Sequence, residues 1–159
     1  MPEIEYAFLA DAADARPGEK FAVLGGGITR LGGPTFPLRH PHLALVVGLA
    51  VAPDEIGQEL ELRFSVVTPG TDEMASAQAT ITAGGPSTGR ESVLTFALDL
   101  WNLAFPVAGD YEIRILVGGE ERKRLSLVVE ERAAPVGGPA PGRRRQPLTP
   151  PFPPPTGKA

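Results

Sequence analysis

Apolar and polar positions alternate with a period of two along most of this chain. The clearest case is the segment 59–66, where Leu60, Leu62, Phe64 and Val66 alternate with charged or polar neighbours. The segments 4–10 and 94–100 follow the same pattern. A period of two places successive side chains on opposite faces of a β-strand, so the sequence predicts an all-β fold.

Two segments depart from simple alternation in informative ways. Leu43 to Val51 is apolar at every position, which is typical of a central strand covered on both faces. Met74 to Ala83 alternates small apolar residues with polar ones, and such a thin apolar face indicates an edge strand. The other predicted strands are Ile4 to Ala10, Lys20 to Leu24 with pairing resumed at Ile28 to Leu31 beyond a glycine bend, 59–66, 94–100, Asp110 to Val117 and Lys123 to Glu130. We therefore predict an antiparallel β-sandwich of about eight strands, immunoglobulin-like or C2-like, with a barrel as the alternative.

The last two strands form a hairpin whose register can be predicted from side-chain parity. Gly118-Gly119 suits a two-residue turn, but that turn would place charged residues opposite the apolar face of the first strand. A one-residue slip turns every side chain over. We therefore expect an odd-length loop, with residues 118–122 as the best case, or a bulge with the same effect. The five-residue loop would pair Ile115 with Leu125, Ile113 with Leu127 and Tyr111 with Val129.

The composition changes abruptly near residue 132. All nineteen acidic residues lie at or before Glu131, whereas nine of the eighteen prolines and four of the fifteen Lys and Arg lie in residues 133–159. The first 132 residues therefore carry eleven cations and a formal charge of −8, and the remainder carries +4. We predict a folded domain over 1–132 and a disordered Pro-rich and Arg-rich arm over 133–159, because the arm has too few apolar side chains to offset its ordering entropy.

Composition also limits the classes of function and the compartment. The absence of cysteine suits a reducing compartment. The acidic N-terminus is unlike a signal peptide, and the longest apolar run is half a membrane span. We expect a cytoplasmic protein without a membrane segment. The negative charge of the domain argues against nucleic-acid binding, and repulsion between like-charged copies favours a monomer or weak homodimer.

No motif for catalysis or cofactor binding stands out. Gly25-Gly26-Gly27 lacks the Lys-Ser or Lys-Thr of a phosphate loop and predicts a backbone bend. His40 and His42 are the only histidines, so a zinc site would need one or two further ligands from carboxylates distant in the sequence, and we expect a transition from loop to strand instead. The serines lie outside any Gly-x-Ser-x-Gly motif. We predict no catalytic residues, no metal and no cofactor.

Two segments are candidates for contact with a ligand or partner. Trp101, Asn102 and Phe105 cluster at a predicted strand end, where sandwich domains often place binding loops. In the arm, Arg144 followed by Pro147 and Pro150 fits the pattern of a polyproline ligand of SH3 domains, although a Pro-rich segment produces such patterns by chance.

Several segments of the chain resemble those of known proteins. Phe105 to Tyr111 resembles the turn before the penultimate strand of immunoglobulin-like domains, which implies that Tyr111 is a corner tyrosine bonded back to the preceding connection. The segments 2–11, 23–27 and 36–41 resemble a family of short bacterial proteins of unknown function. That resemblance implies one bacterial domain and assigns no site residues.

These observations lead to one function hypothesis and one alternative. We expect a non-enzymatic interaction or scaffold module that binds an unidentified protein partner, with the arm as spacer or recognition segment. The alternative is a small-ligand or carbohydrate-binding sandwich that uses the Trp101 loop.

Overall fold

The structure, a computed structural model, describes residues 2–16, 19–85 and 89–134. Within these residues, nine strands form two sheets packed face to face, which confirms the predicted β-sandwich. One sheet has four strands in the order β2-β1-β4-β7, and the other has five in the order β3-β9-β8-β5-β6. The strands are β1 (Glu3–Asp14), β2 (Ala22–Gly26), β3 (Arg30–Gly33), β4 (Leu38–Val51), β5 (Glu59–Val67), β6 (Glu73–Thr82), β7 (Ser92–Phe105), β8 (Gly109–Val117) and β9 (Glu120–Glu131), with a 3-10 turn at Pro53–Glu55.

The chain changes sheets after β2, which the sequence analysis did not predict. Gly25 and Gly27 have positive φ angles, and the backbone bends there as expected. Strand pairing then resumes in the opposite sheet, where β3 runs parallel to β9 with Arg30 opposite Val128. Pairing does resume near Ile28 to Leu31 beyond the bend, but in a separate strand of the other sheet and not as part of the second strand. Among the strand pairs of the described residues, β3 with β9 is parallel and the others are antiparallel.

The inward faces of the two sheets form a single core. β4 is central in the four-stranded sheet, and its residues Leu43 to Leu49 are buried on both faces, as the continuous apolar run predicts. β6 lies at the edge of the five-stranded sheet, as its small side chains predict. The largest fully buried side chains are Tyr111, Phe105, Leu9, Leu43, Leu45, Leu49, Leu62, Ile113, Ile115 and Leu127.

In the hairpin of β8 and β9, a bulge and not a longer loop brings the apolar side chains of both strands to the same face of the sheet. Gly118 and Gly119 form a two-residue turn with φ angles of 59° and 85°, and Val117 lies opposite Glu120. The five-residue loop is therefore wrong. A bulge next to Ile115 restores parity, so Ile113 lies opposite Leu125 and Tyr111 opposite Leu127. The bulge alternative is confirmed. The observed register differs by two residues from that of the five-residue loop, which would pair Ile113 with Leu127.

Tyr111 is a corner tyrosine, as the immunoglobulin-like resemblance implies. Its hydroxyl donates to the carbonyl oxygen of Val107 at 2.7 Å and accepts from the Val107 N–H at 3.3 Å. Its ring packs edge-on against Phe105 with centroids 5.0 Å apart. Both the N–H and the carbonyl group of Val107 are thus bonded to one buried side chain, and these bonds hold the turn before β8 against the core.

Candidate functional site

The outer face of the four-stranded sheet carries aromatic side chains. The ring of Tyr6 lies directly on Gly48, where an added Cβ would come within 2.4 Å of the ring. The Tyr6 hydroxyl reaches across β4 to the Thr95 hydroxyl on β7, at 2.5 Å. Glycine at position 48 therefore lets one aromatic side chain cross the sheet and cover the central strand.

The hairpin of β1 and β2 bends back over this face. Ala22 pairs with Asp14, which in a straight strand would lie roughly 26 Å from Tyr6. The rings of Tyr6 and Phe21 nevertheless stack with centroids 6.1 Å apart. Such a distance requires β1 to bend, which brings the distal hairpin back toward Tyr6.

Trp101 lies on the same outer face, on β7 opposite His42 of β4. Its indole is 64% exposed, and it packs on the His42 ring with centroids 4.1 Å apart. Asp99 lies two residues before Trp101 and binds the same histidine. We call Trp101, His42 and Asp99 the Trp101 platform.

Two hydrogen bonds hold the His42 ring in place. Nδ1 lies 2.8 Å from the carbonyl oxygen of Asp11, and Nε2 lies 2.7 Å from Oδ1 of Asp99. Both partners are oxygen acceptors on different strands, so together they fix the orientation of the ring on which Trp101 packs. The tryptophan is therefore exposed and yet supported from below.

The structure places the other candidate residues differently from expectation. Trp101 is in a strand, not in a loop, because β7 continues to Phe105. Asn102 is exposed and has a positive φ of 53°, and beyond it Leu103 and Phe105 turn into the core. Phe105 is fully buried, so its proposed ligand contact is incorrect. Arg144, Pro147 and Pro150 lie outside the described residues.

His40 and His42 point to different surroundings. His40 lines a cavity of about 130 Å³ with Arg39, Pro41 and Asn102, whereas His42 belongs to the platform. Within residues 2–16, 19–85 and 89–134, no three His, Cys, Asp or Glu side chains gather as metal ligands would. None of the described segments forms a helix that could cross a lipid bilayer.

A second concave surface opens between β1 and β9. Its volume is about 380 Å³, and its floor is mainly apolar, with Ala7, Leu9, Ile28 and Leu125 among the lining residues. The charged lining residues are Arg30 and Arg124, and each is paired with a glutamate on the five-stranded sheet. Its charged groups are therefore already bound within the protein, and the platform is the better candidate site.

The outer face of the five-stranded sheet carries ion pairs. Arg114 lies 2.9 Å from Glu112, and Arg124 lies 3.1 Å from Glu112 and 2.8 Å from Glu121. The hydrogen bond from Arg114 and the charge of Arg124 hold the pKa of Glu112 below its usual range. Arg132, with Arg30, lowers the pKa of Glu130 in the same way. Surface partners cause these shifts, as in a structural ion-pair network.

The sequence pattern identifies Trp101 but not the side chains that support it. The parity of β4 places His42 opposite to the inward Leu43, and this signal could have assigned it to the outer face. The cross-strand pairing of His42 with Trp101 depends on the register between distant strands, which no local pattern fixes. The covering role of Tyr6 depends on the same register through Gly48.

Solved structures with similar folds include proteins of several kinds. The C-terminal domain of Wzt is 13% identical over 80% of this chain and 72% of that chain, with a TM-score of 0.47. An immunoglobulin-like protein from Pseudomonas aeruginosa is 13% identical over 78% of this chain and 96% of that one, with a TM-score of 0.30. An alkylpurine DNA glycosylase from Pseudomonas fluorescens is 13% identical over 81% of this chain, which spans 30% of the glycosylase, with a TM-score of 0.44. These likenesses concern the β-sandwich alone.

No curated protein matches this chain in sequence. A family match covers residues 5–130, which is the whole sandwich apart from the ends of its first and last strands. The chain therefore belongs to a family of unknown function, DUF6941.

Proposed function

We propose that this protein is a non-enzymatic interaction module whose contact surface is the Trp101 platform. The observation that carries the proposal is an exposed tryptophan with a built support. The indole leaves most of its surface in water, so it adds little to the core, yet His42 and Asp99 hold it in one place. Tryptophan is enriched among the residues that dominate binding energy at protein interfaces, and a fixed side chain loses less entropy on binding.

The opposite face of the sandwich supports the same proposal. The ionisable groups with resolved pKa shifts on the five-stranded sheet owe them to surface ion pairs, a structural pattern and not one of a catalytic cleft. The Pro-rich arm, residues 133–159, is then a spacer or a recognition segment. We place the module in the cytoplasm, as a monomer or weak homodimer. Sedimentation that gives a stable higher oligomer would contradict that state.

The experiment compares two substitutions on one strand. Trp101→Ala removes the platform, and Val93→Ala trims another exposed apolar residue of β7, eight residues away. We expect a partner retained by the wild-type chain and by the Val93→Ala chain to be lost from the Trp101→Ala chain. The dissociation constant, measured with the purified partner, should rise at least about thirtyfold for a hot-spot tryptophan. Equal binding by both variants would contradict the proposal that the platform is the contact surface.

The second candidate function is the binding of a carbohydrate or another small ligand at the same platform. The observation that favours it is the presence of two exposed polar residues near the indole, because Asp99 and Asn102 lie two residues before and one residue after Trp101 on β7. A sugar could stack its C–H face on the indole and bond its hydroxyls to those residues. Saturable quenching of the Trp101 fluorescence by one member of a glycan panel, abolished by Asp99→Ala, would favour this candidate over a protein partner.

A further inference from the structure

We propose that the chain's own segment 143–150, Arg-Arg-Arg-Gln-Pro-Leu-Thr-Pro, docks in cis on the Trp101 platform. The inference rests on the proposed function, because it names an occupant for the same surface. A partner would then compete with the arm for the platform. Three observations carry the inference: where the arm leaves the domain, how far it reaches and what charges it meets.

The arm leaves the domain at the same end of the sandwich as the platform. The N–H of Arg132 donates to the carbonyl oxygen of Gly33 at 2.9 Å, which fixes the last residue before the arm. Leu38 packs directly against Gly33 and begins β4 opposite Phe105. Four residues further along β4, His42 lies opposite Trp101.

The distance to be covered is within the reach of the arm. Gly33 lies in the five-stranded sheet, so the path includes one sheet spacing of about 10 Å, four residues of strand at about 13 Å and one strand spacing of about 5 Å. The positions of Arg132 and Arg143 differ by eleven, and eleven fully extended residues span at most about 36 Å. The tether is therefore long enough, and it keeps the segment at a high effective concentration near the platform.

The charges and side chains of the two surfaces are complementary. The segment contributes three arginines, the arm has no acid, and the folded part carries −8. The carboxylate of Asp99 is half exposed beside Trp101 and offers a partner for an arginine. Arg39 lies on β4 toward the end where the arm emerges, so repulsion there favours an orientation with the arginines at Asp99. Proline rings against an aromatic surface are the usual contact of polyproline recognition.

Intrinsic fluorescence can test this contact in the full-length chain. Trp101 is the only tryptophan, and the arm contains neither tryptophan nor tyrosine. The test variant is R143E/R144E/R145E, and the matched control is K158E, which reverses a charge in the same arm outside the segment. Both variants leave the sequence of residues 1–132 unchanged. If at least half of the chains are docked, the acrylamide quenching constant should rise about twofold in the triple variant and stay unchanged in K158E.

Concentration and salt separate the remaining outcomes. Docking in cis predicts a quenching constant for the wild-type chain that is independent of protein concentration and that rises toward the triple variant in high salt. A constant that falls as the protein concentration rises would mean docking between copies and would overturn the inference. Equal constants for the wild-type chain and the triple variant would overturn it too, as would a K158E effect as large as that of the triple variant. The proposed function would survive each of these results if Trp101→Ala still abolished partner binding.

Discussion

The two outer faces of this sandwich use different interactions to cover their sheets. On the four-stranded sheet, Tyr6 crosses Gly48 to Thr95, and Phe21 stacks on Tyr6, so aromatic rings cover the central strand. On the five-stranded sheet, Glu112 sits between Arg114 and Arg124, and charged side chains meet solvent. The first face excludes water from the backbone of β4, and the second keeps its charges hydrated.

This difference has an energetic consequence. Removing an aromatic cover exposes or strains buried groups, whereas exposed ion pairs contribute little because water and salt screen them. We therefore expect substitutions on the four-stranded face to change stability strongly and those on the five-stranded face to change it weakly. The four-stranded face, which we expect to contribute more to stability, also carries the candidate site. There, Trp101 extends the aromatic surface into solvent.

The largest expected effect comes from Gly48→Leu. The new side chain would overlap the Tyr6 ring, displace it from β4 and break its bond to Thr95. Overpacking of this kind costs about 1–3 kcal/mol, with the loss of the hydrogen bond in addition. Urea denaturation measures the change. The control is Arg63→Leu, an exposed position on the five-stranded face, where we expect a change within about 0.5 kcal/mol. Similar losses at both positions would refute the contrast between the faces.

A smaller effect is expected from Tyr6→Phe. The substitution keeps the ring on Gly48 but leaves the buried Thr95 hydroxyl without its partner, at a cost of about 1–2 kcal/mol. Thr95→Val in the same chain removes the unpaired hydroxyl, so the double variant should recover much of that loss. The free energies of unfolding of the four chains form a double-mutant cycle. Additive losses would mean that the two hydroxyls do not interact.

The sequence predicts the layers of this protein better than it predicts the connections between them. Alternation identifies the strands because side chains of opposite polarity must face opposite sides, and the continuous apolar run of β4 marks a strand covered twice. The corner role of Tyr111 follows from a local turn. Strand β3 is different, because its pairing with β9 joins residues about a hundred positions apart. A short Gly-rich segment has no pattern that selects one sheet over the other.

The candidate site divides in the same way. Trp101 is visible because a lone tryptophan at the end of an apolar pattern is unusual, but Phe105 looked equally exposed. The positive φ at Asn102 turns Leu103 and Phe105 inward, and the sequence alone does not show where a strand changes face. His42 becomes a support for Trp101 only through the register of β4 with β7. Local chemistry can be read from the sequence, whereas the partners of each group come from long-range pairing.

The smallest effect is expected from Glu112→Gln on the five-stranded face. The pKa of Glu112 is lower in the folded state than the unperturbed value of 4.5, so its stabilising contribution is present above that value and is lost as the pH falls through the folded pKa. The substitution should therefore lower stability slightly near neutral pH and leave it unchanged at pH values below both pKa values. Because the carboxylate is a surface group, high salt should also shrink the difference at neutral pH. Thermal unfolding of both chains across the acid range gives this comparison, and Glu59→Gln, at an exposed glutamate of β5, serves as the control. A difference in thermal stability that persists in full at low pH would mean that the substitution acts through packing and not through charge. The five-stranded face would then depend on packing, as the aromatic face does, more than its ion pairs indicate.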